Sequence, residues 1–379
     1  MATTRPRRQE QEPAGEAVDE LAPNIRRVQL PIALPGLGHV NCYLLDDDKG
    51  VALVDPGLPG PAAYRNLRAA LKRADVRITD VHTVIVTHSH PDHFGAAGRI
   101  RAESGAEVIT HDSFRLWWDA AEEQFDEIEH VHAPDENAEA LDRHAHALRH
   151  HHGRHPRHER PIGPNDPMPW GGGDRGRMMP RRRRLFFSAM KHGLGGRFFA
   201  APRPSRRVQD GVVLPLAGRE LVAVHTPGHT IDHLCLWDPA SGLLISGDHV
   251  LPSITPHISG MTTAVDPLAE FFESLERVAE LPDASLVLPA HGHPFRDLAG
   301  RAAAIRRHHE ERLDVLRTAS GELGAGTVPE FMRRLFHERV WGPMAESETY
   351  AHLEHLRRLG EATSRRREDG VLEYRFRTS

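Results

Sequence analysis

One hexapeptide in the 379-residue chain concentrates metal-ligating chemistry: His88-Ser89-His90-Pro91-Asp92-His93. Neutral imidazole and ionised carboxylate are the donors that a borderline divalent ion such as zinc takes, and a site with positions open to water is catalytic rather than structural. His88 and His90 stand two apart, on one face of an extended segment, so both can reach one ion. Asp92 and His93, past the turn, aim at a second ion nearby. Three more polar clusters follow: Thr226-Pro227-Gly228-His229, Gly247-Asp248 and Ala290-His291-Gly292. The chain has 28 histidines, so a single one is more often a surface or packed residue than a ligand. The shared placement of four clusters is what carries weight.

Each cluster directly follows a short β-branched run with strand character: residues 81–87, 221–224, 243–246 and 285–288, with 51–54 as a further strand. Helical patterns over Pro61–Arg73 and 268–281 lie between them, so the body is α/β. In such folds side chains at strand ends converge on one rim, where ligand sites are built.

At 27% charged side chains, the chain is long enough for a catalytic domain and something smaller. It has no run of eighteen apolar residues, and residues 1–19 are polar rather than a signal core. A cytoplasmic protein without a membrane anchor is therefore expected, with residues 1–23 disordered. Cys42 and Cys235 are the only cysteines; each sits in an apolar run and reads as a buried free thiol, which excludes a cysteine-based metal site.

The segment 112–208 interrupts the α/β pattern and reads as an insertion: an acidic helix, a histidine-rich linker over 144–158, and a basic amphipathic piece over 181–199. Residues 141–210 hold 16 Lys and Arg against 5 Asp and Glu, or +11, so with the whole chain at −5 the remainder carries −16. Arg181 to Arg184 could favour an anionic substrate; pairing with the acidic stretch is the blander and preferred reading. After Pro294, helices are expected over 298–316, 328–336 and 347–359, with Ser347 as N-cap and Gly360 as the stop. Residues 363–367 and 371–376, joined across Asp369-Gly370, read as a β-hairpin. Helices followed by two strands suggest a winged-helix module over 297–379, able to pack on a partner subunit as in a homodimer. Its Arg357, Arg358 and Arg365 to Arg367 could contact phosphate.

In chain order, the block His88-X-His90-X-Asp92-His93 with His229, Asp248 and His291 resembles the signature of the metallo-β-lactamase superfamily, and Val54-Asp55-Pro56-Gly57 matches its early aspartate. The resemblance covers residues 26–296 apart from the insertion. It implies a four-layer αββα sandwich as the catalytic domain, 24–296. Carried over residue by residue, it implies that His88, His90 and His229 hold one metal, that Asp92, His93 and His291 hold the other, and that Asp248 bridges them. Asp55 would orient the first cluster without binding metal. Two divalent ions are implied, zinc first, with iron or manganese as alternatives.

True lactamases of this fold commonly carry a cysteine where Asp248 stands, so penicillin-type substrates are not expected. Residues 250–260 offer none of the basic and aromatic contacts that glyoxalase II relatives make with glutathione. The form Thr226-Pro227-Gly228-His229-Thr230-X-Asp232-His233, with the C-terminal helices, is similar to the beta-lactamase-like protein 2 branch, whose members include a single-stranded-RNA endoribonuclease.

Two ions about 3.5–4 Å apart lower the pKa of a bridging water to about 7 and polarise a carbonyl or phosphoryl oxygen. A metal-bridging hydroxide is thus the expected nucleophile. Asp92, Asp248 and His233 are the expected catalytic residues, Asp248 positioning the hydroxide and accepting its proton, and His233 either contacting substrate oxygen or lying buried. His293 is the rival to His291 as last ligand. The leading expectation is a hydrolase of a small or carrier-bound ester, thioester or lactone, and the alternative is a metal-dependent ribonuclease that grips RNA.

Overall fold

A computed structural model of the chain describes residues 8–34, 36–116, 129–131, 167–172, 185, 188 and 202–377. Most of the expected insertion, including the histidine run 144–158 and nearly all of the basic arm, lies outside the described residues. The larger sheet contains β1 (Val18–Ala22), β2 (Ile25–Leu34), β3 (Leu37–Asp47), β4 (Gly50–Val54), β5 (Val81–Ile85), β6 (Glu107–His111), β7 (Glu129–Val131) and β8 (Arg206–Val208), in the order β1-β2-β3-β4-β5-β6-β8-β7. It is antiparallel from β1 to β4 and parallel beyond. The smaller sheet holds β9 (Val213–Leu216), β10 (Arg219–His225), β11 (Leu234–Asp238), β12 (Leu243–Gly247) and β13 (Leu286–Pro289), in the order β13-β12-β11-β10-β9.

Alternation along the strands explains why both sheets are apolar on two faces. In β4, Ala52 and Val54 join a central cluster with Leu221 and Ala223 of β10 and Leu243 and Ile245 of β12. Val51 and Leu53 point the other way, toward Tyr64, Leu67 and Leu71 of helix α1 (Pro61–Arg73). The expected bounds of α1 match the observed ones because Pro61 opens the helix at N1 and the buried positions 64, 67, 70 and 71 follow its period. Val222 and Val224 of β10 meet Leu268, Phe271 and Leu275 on a further helix. A short helix, α2 (Pro91–Phe94), holds the last three residues of the ligand hexapeptide, α3 (Ala97–Ser104) follows it, and α4 (Pro267–Ala279) carries the Phe271 face.

The C-terminal part contains α5 (Leu298–Leu323), α6 (Val328–Leu335), α7 (Pro343–Arg358) and a small sheet of β14 (Gly326–Thr327), β15 (Ala362–Arg366) and β16 (Leu372–Phe376), ordered β14-β16-β15. The expected hairpin is present, with β15 and β16 antiparallel. The core does not break at the expected boundary after 296: Leu313, Phe331, Leu353 and Tyr374 belong to the same cluster as Trp237 and Leu244 of the smaller sheet.

Three local expectations need correction. Residues from Arg8 onward are not a disordered lead-in: β1 pairs with β2, and the Glu10 carboxylate is fully buried, accepting the backbone N–H groups of Ser253 and Ile254 and the Ser253 hydroxyl. Helix α5 runs on to Leu323 because Leu316 and Ala319 still have apolar surface to cover, and it stops at Gly324 with φ +66°. Ser347 is not an N-cap. Helix α7 begins at Pro343 after Gly342, and the Ser347 hydroxyl is spent inside, accepting the Gly260 N–H at 3.1 Å. Among the described residues no helix is long and apolar enough to cross a membrane.

Candidate metal centre

The chain leaves β4 at Asp55, whose φ of +55° is unusual for a residue with a side chain. That conformation turns its carboxylate back under the β5 end, where it accepts the Thr87 N–H at 2.9 Å, the Thr87 hydroxyl at 2.8 Å and His93 Nδ1–H at 2.8 Å. Beyond Thr87 the chain does not stay extended as expected but bends through residues 88–90, with His90 extended at the N-cap position, and enters α2, which carries Asp92 and His93; the rings of His88 and His93 lie 3.9 Å apart. His229 follows β10, Asp248 follows β12 and His291 follows β13. The hydroxyl of Ser89 donates to Asp232 at 3.1 Å and so ties the first loop to the second.

These loops bring seven side chains into two groups. His88, His90, His229 and Asp248 form one, and Asp92, His93 and His291 the other, each with ligand atoms within 4.8 Å of one another. Asp248 faces both: Oδ2 lies 3.5 Å from His229 Nε2 and 3.6 Å from His93 Nε2, and Oδ1 lies 3.3 Å from His291 Nε2. Asp92 Oδ2 is 3.6 Å from His93 Nε2 and 3.5 Å from His291 Nε2.

The protonation of the rings follows from their outer partners. A carbonyl or an ionised carboxylate only accepts, so His229 Nδ1 must donate to the His257 carbonyl (2.7 Å), His291 Nδ1 to the His39 carbonyl (2.6 Å) and His93 Nδ1 to Asp55. In the neutral rings each Nε2 is then a bare lone pair, and all three point inward. His90 Nδ1 stands 2.9 Å from His88 Nε2 and 3.1 Å from His229 Nε2, and one proton there cannot serve both neighbours. His93 Nε2, His291 Nε2 and Asp248 Oδ1 are buried without a hydrogen-bond partner. Converging, buried lone pairs of this kind are costly unless a cation lies among them. The residues therefore fit a pair of divalent ions, and the tied outer nitrogens are what such ligands need.

Burial, helped by neighbouring imidazoles, pushes His88 and His90 well below the usual imidazole range. Burial also pulls on His93, but Asp55, Asp92 and Asp248 outweigh it and hold that ring well above the range. Asp248 is driven the opposite way to its burial: His291 and His93 keep it ionised far below the usual carboxylate range.

His233 is the one expected catalytic residue that the structure places elsewhere. It is fully buried, its Nε2 accepts the Asp248 backbone N–H at 3.0 Å, and its Nδ1–H therefore faces Thr226 Oγ1 at 2.8 Å. Both ring nitrogens are used, so it positions Asp248 and has none left for substrate. Gly247 makes this contact available, because with φ +51° a Cβ there would meet His233 Nε2 at 2.5 Å. His233→Ala is expected to lower kcat about 10–100-fold while KM changes little, since the residue acts through a ligand; steady-state kinetics on the metal-loaded enzyme would check this. His293, the rival for the last ligand, points outward and pairs with Glu12 at 2.9 Å.

Residues that sequence reasoning missed support the rim. Asn41 donates through Nδ2 to the carbonyls of Pro289 and Gly292, and the Tyr43 hydroxyl to that of Pro289, fixing the turn that presents His291. Their only sequence signal was polarity inside an apolar strand.

Known proteins share this fold. A metallo-beta-lactamase family protein from Thermus thermophilus superposes with a TM-score of 0.68 at 27% identity, covering 94% of this chain and 100% of that one. A beta-lactamase domain protein from Burkholderia ambifaria does so at 0.66 and 27%, covering 96% of each. Among curated proteins, the lactamase-like protein vrtG of Penicillium aethiopicum is 33% identical over 143 residues, 36% of this chain and 44% of that one. The atrochrysone carboxyl ACP thioesterase AgnL7 of Paecilomyces divaricatus is 31% identical over 134 residues, 34% of this chain and 40% of that one. The chain thus spans less than half the length of these two curated relatives. The family model of the metallo-beta-lactamase superfamily matches residues 35–291, the stretch that carries all seven converging side chains, and the chain belongs to that superfamily.

Proposed function

We propose that the protein is a dinuclear-metal hydrolase of a small or carrier-bound acyl compound, a thioester first and an ester or lactone next. The observation that carries this is the pair of ligand groups joined through Asp248. Two relatives named as atrochrysone carboxyl ACP thioesterases, AgnL7 and nsrC, favour the thioester. Two divalent ions held by these groups would supply an acidified water and polarise the substrate carbonyl. The chain's own part is to place a base and to fix it. Asp248 Oδ1, which has no hydrogen-bond partner, is the atom that takes the proton of the attacking water, while the His233 contact holds its backbone N–H. Cys42 and Cys235 are fully buried, and burial pushes both thiols up, so neither serves as nucleophile.

Zinc as resident ion, an αββα layering, a winged-helix character for the C-terminal part and a cytoplasmic setting belong to the same reading. Four of the five arginines expected to reach phosphate are engaged within the chain, which weighs against the RNA alternative: Arg357 pairs with Glu354, Arg365 with Glu373 and Arg367 with Asp369, and Arg366 donates to the carbonyls of Pro169 and Gly370, while Arg358 is exposed. The test is elemental analysis of the purified protein, followed by assay on acyl thioesters, aryl esters, lactones, bis-p-nitrophenyl phosphate and single-stranded RNA. Two ions per chain and metal-dependent acyl hydrolysis are expected; cleavage confined to RNA, or a protein purified without metal, would overturn the reading.

A further inference from the structure

Three ligand rings are tied through Nδ1, and the tie on His229 differs from the other two. His93 is held by the Asp55 carboxylate. His291 is held by the carbonyl of His39, whose own ring is set by backbone: its Nδ1 donates to the Glu12 carbonyl at 2.8 Å and its Nε2 accepts the Gly292 N–H at 3.1 Å. His229 is held by the carbonyl of His257 at 2.7 Å, and His257 lies on the long loop between Asp248 and α4. A carbonyl on such a loop holds a ring only as firmly as the loop itself is held.

The grip on that loop comes from the C-terminal part. Arg301 of α5 donates to the carbonyls of Leu251 and Ile254 at 2.6 Å. Gly260 packs on α7, where its N–H reaches the Ser347 carbonyl at 3.2 Å and a Cβ would meet that oxygen at 2.7 Å. Between these points the anchor is the His257 ring, whose Nδ1 lies 3.1 Å from Glu348 Oε2 on α7, while Arg312 of α5 holds the other carboxylate oxygen. Glu348 is buried, and Arg312 and His257 overcome that burial to keep it ionised. An ionised carboxylate only accepts, so His257 Nδ1 donates to it, and a bond to a charged acceptor is stronger than one between neutral groups.

Glu348 is fixed in turn. Its backbone carbonyl accepts His352 Nδ1–H at 2.7 Å, so His352 Nε2 accepts from His309 at 3.1 Å. His309, Glu348 and His352 have ligand-like spacing, but the Arg312 guanidinium lies against the carboxylate and both of its oxygens are engaged. The three form an anchor between α5 and α7, not a cation site.

We propose that the C-terminal part sets the affinity of one ion site and not of the other: Glu348, backed by Arg312, is a positioning residue that holds His257, whose carbonyl aims the His229 ring at the group formed with His88 and His90. The group of Asp92, His93 and His291 has its own ties, to Asp55 and His39, and stands outside this relay. The proposal rests on the two-ion reading.

His257→Phe keeps the carbonyl and the Glu348–Arg312 pair and removes the anchor. In zinc titrations of the metal-free full-length chain against a chromophoric chelator, it is expected to weaken one of the two binding steps about tenfold and to leave the other within about twofold. Glu348→Gln is expected to do the same, and in the His257→Phe background it should add less than about twofold, because its effect runs through the missing ring. Unchanged binding in His257→Phe, equal weakening of both steps, or multiplying effects in the double variant would each overturn the proposal. A second readout needs no metal. By NMR of the metal-free chain with 15N-labelled histidine, the His229 Nδ1–H should exchange with water about tenfold faster in either single variant, and the His291 Nδ1–H should be unchanged. An unaltered His229 proton, or equal acceleration of both, would also overturn the proposal. A wild type that binds fewer than two ions, with a His229 proton that responds to the variants, would count against the two-ion reading alone.

Discussion

Asp248→Asn is expected to reduce turnover by about 10³-fold and to lower the metal content below two ions per chain. The substitution keeps the shape and the backbone N–H that His233 accepts, and it removes the negative charge shared by the two ligand groups. A metal-held polarising site contributes several kcal/mol to the transition state, and each factor of ten corresponds to about 1.36 kcal/mol. The amide also cannot take a proton at the position of Oδ1, so loss of the base adds to loss of the ions. Single-turnover assays alongside elemental analysis check both parts. Unchanged turnover with two ions bound would remove Asp248 from the mechanism.

Asp55→Asn is expected to weaken zinc affinity about 10–100-fold although Asp55 binds no metal. Asparagine tolerates the positive φ at this position at least as well as aspartate does, so the backbone turn survives and only the hydrogen bonding changes. Asp55 now accepts three hydrogen bonds. An amide NH2 must face at least one of those donors, and if it faces His93 it drives the proton to Nε2, the atom that points at the second ligand group. Breaking the buried His93–Asp55 pair is also expected to cost on the order of 3 kcal/mol of stability. Chelator competition measures the first effect and denaturant unfolding of the metal-free protein the second. Wild-type affinity in Asp55→Asn would mean that His93 needs no orienting partner.

The ligand clusters were legible because each is a contiguous feature: a β-branched run, then a polar turn. Helix α1 was legible for a similar reason, since its start, period and stop all lie within its own residues. The end of α5 was not, because residues 319–321, Ala-Ser-Gly, have mixed local propensity and the packing of Leu316 and Ala319 decides. Ser347 misled as an N-cap because its true partner, Gly260, is 87 residues away. The start of the chain misled for the same reason: a polar composition reads as loose, yet Glu10 is held by groups more than 240 residues distant.

The sequence by itself determined which polar clusters follow strands and in what order, because each is contiguous with its own strand; the packing of the two sheets brings the end of β5 to those of β10, β12 and β13. Only the tertiary structure decided which way each ring faces. His229 and His233 are four residues apart and alike in composition, yet one presents its Nε2 to the cluster and the other turns beneath it to hold the Asp248 backbone. That choice depends on which nitrogen meets a carbonyl and which meets an N–H. Those partners come from other loops, and for His257 from the far C-terminal helix, through contacts that no local pattern encodes.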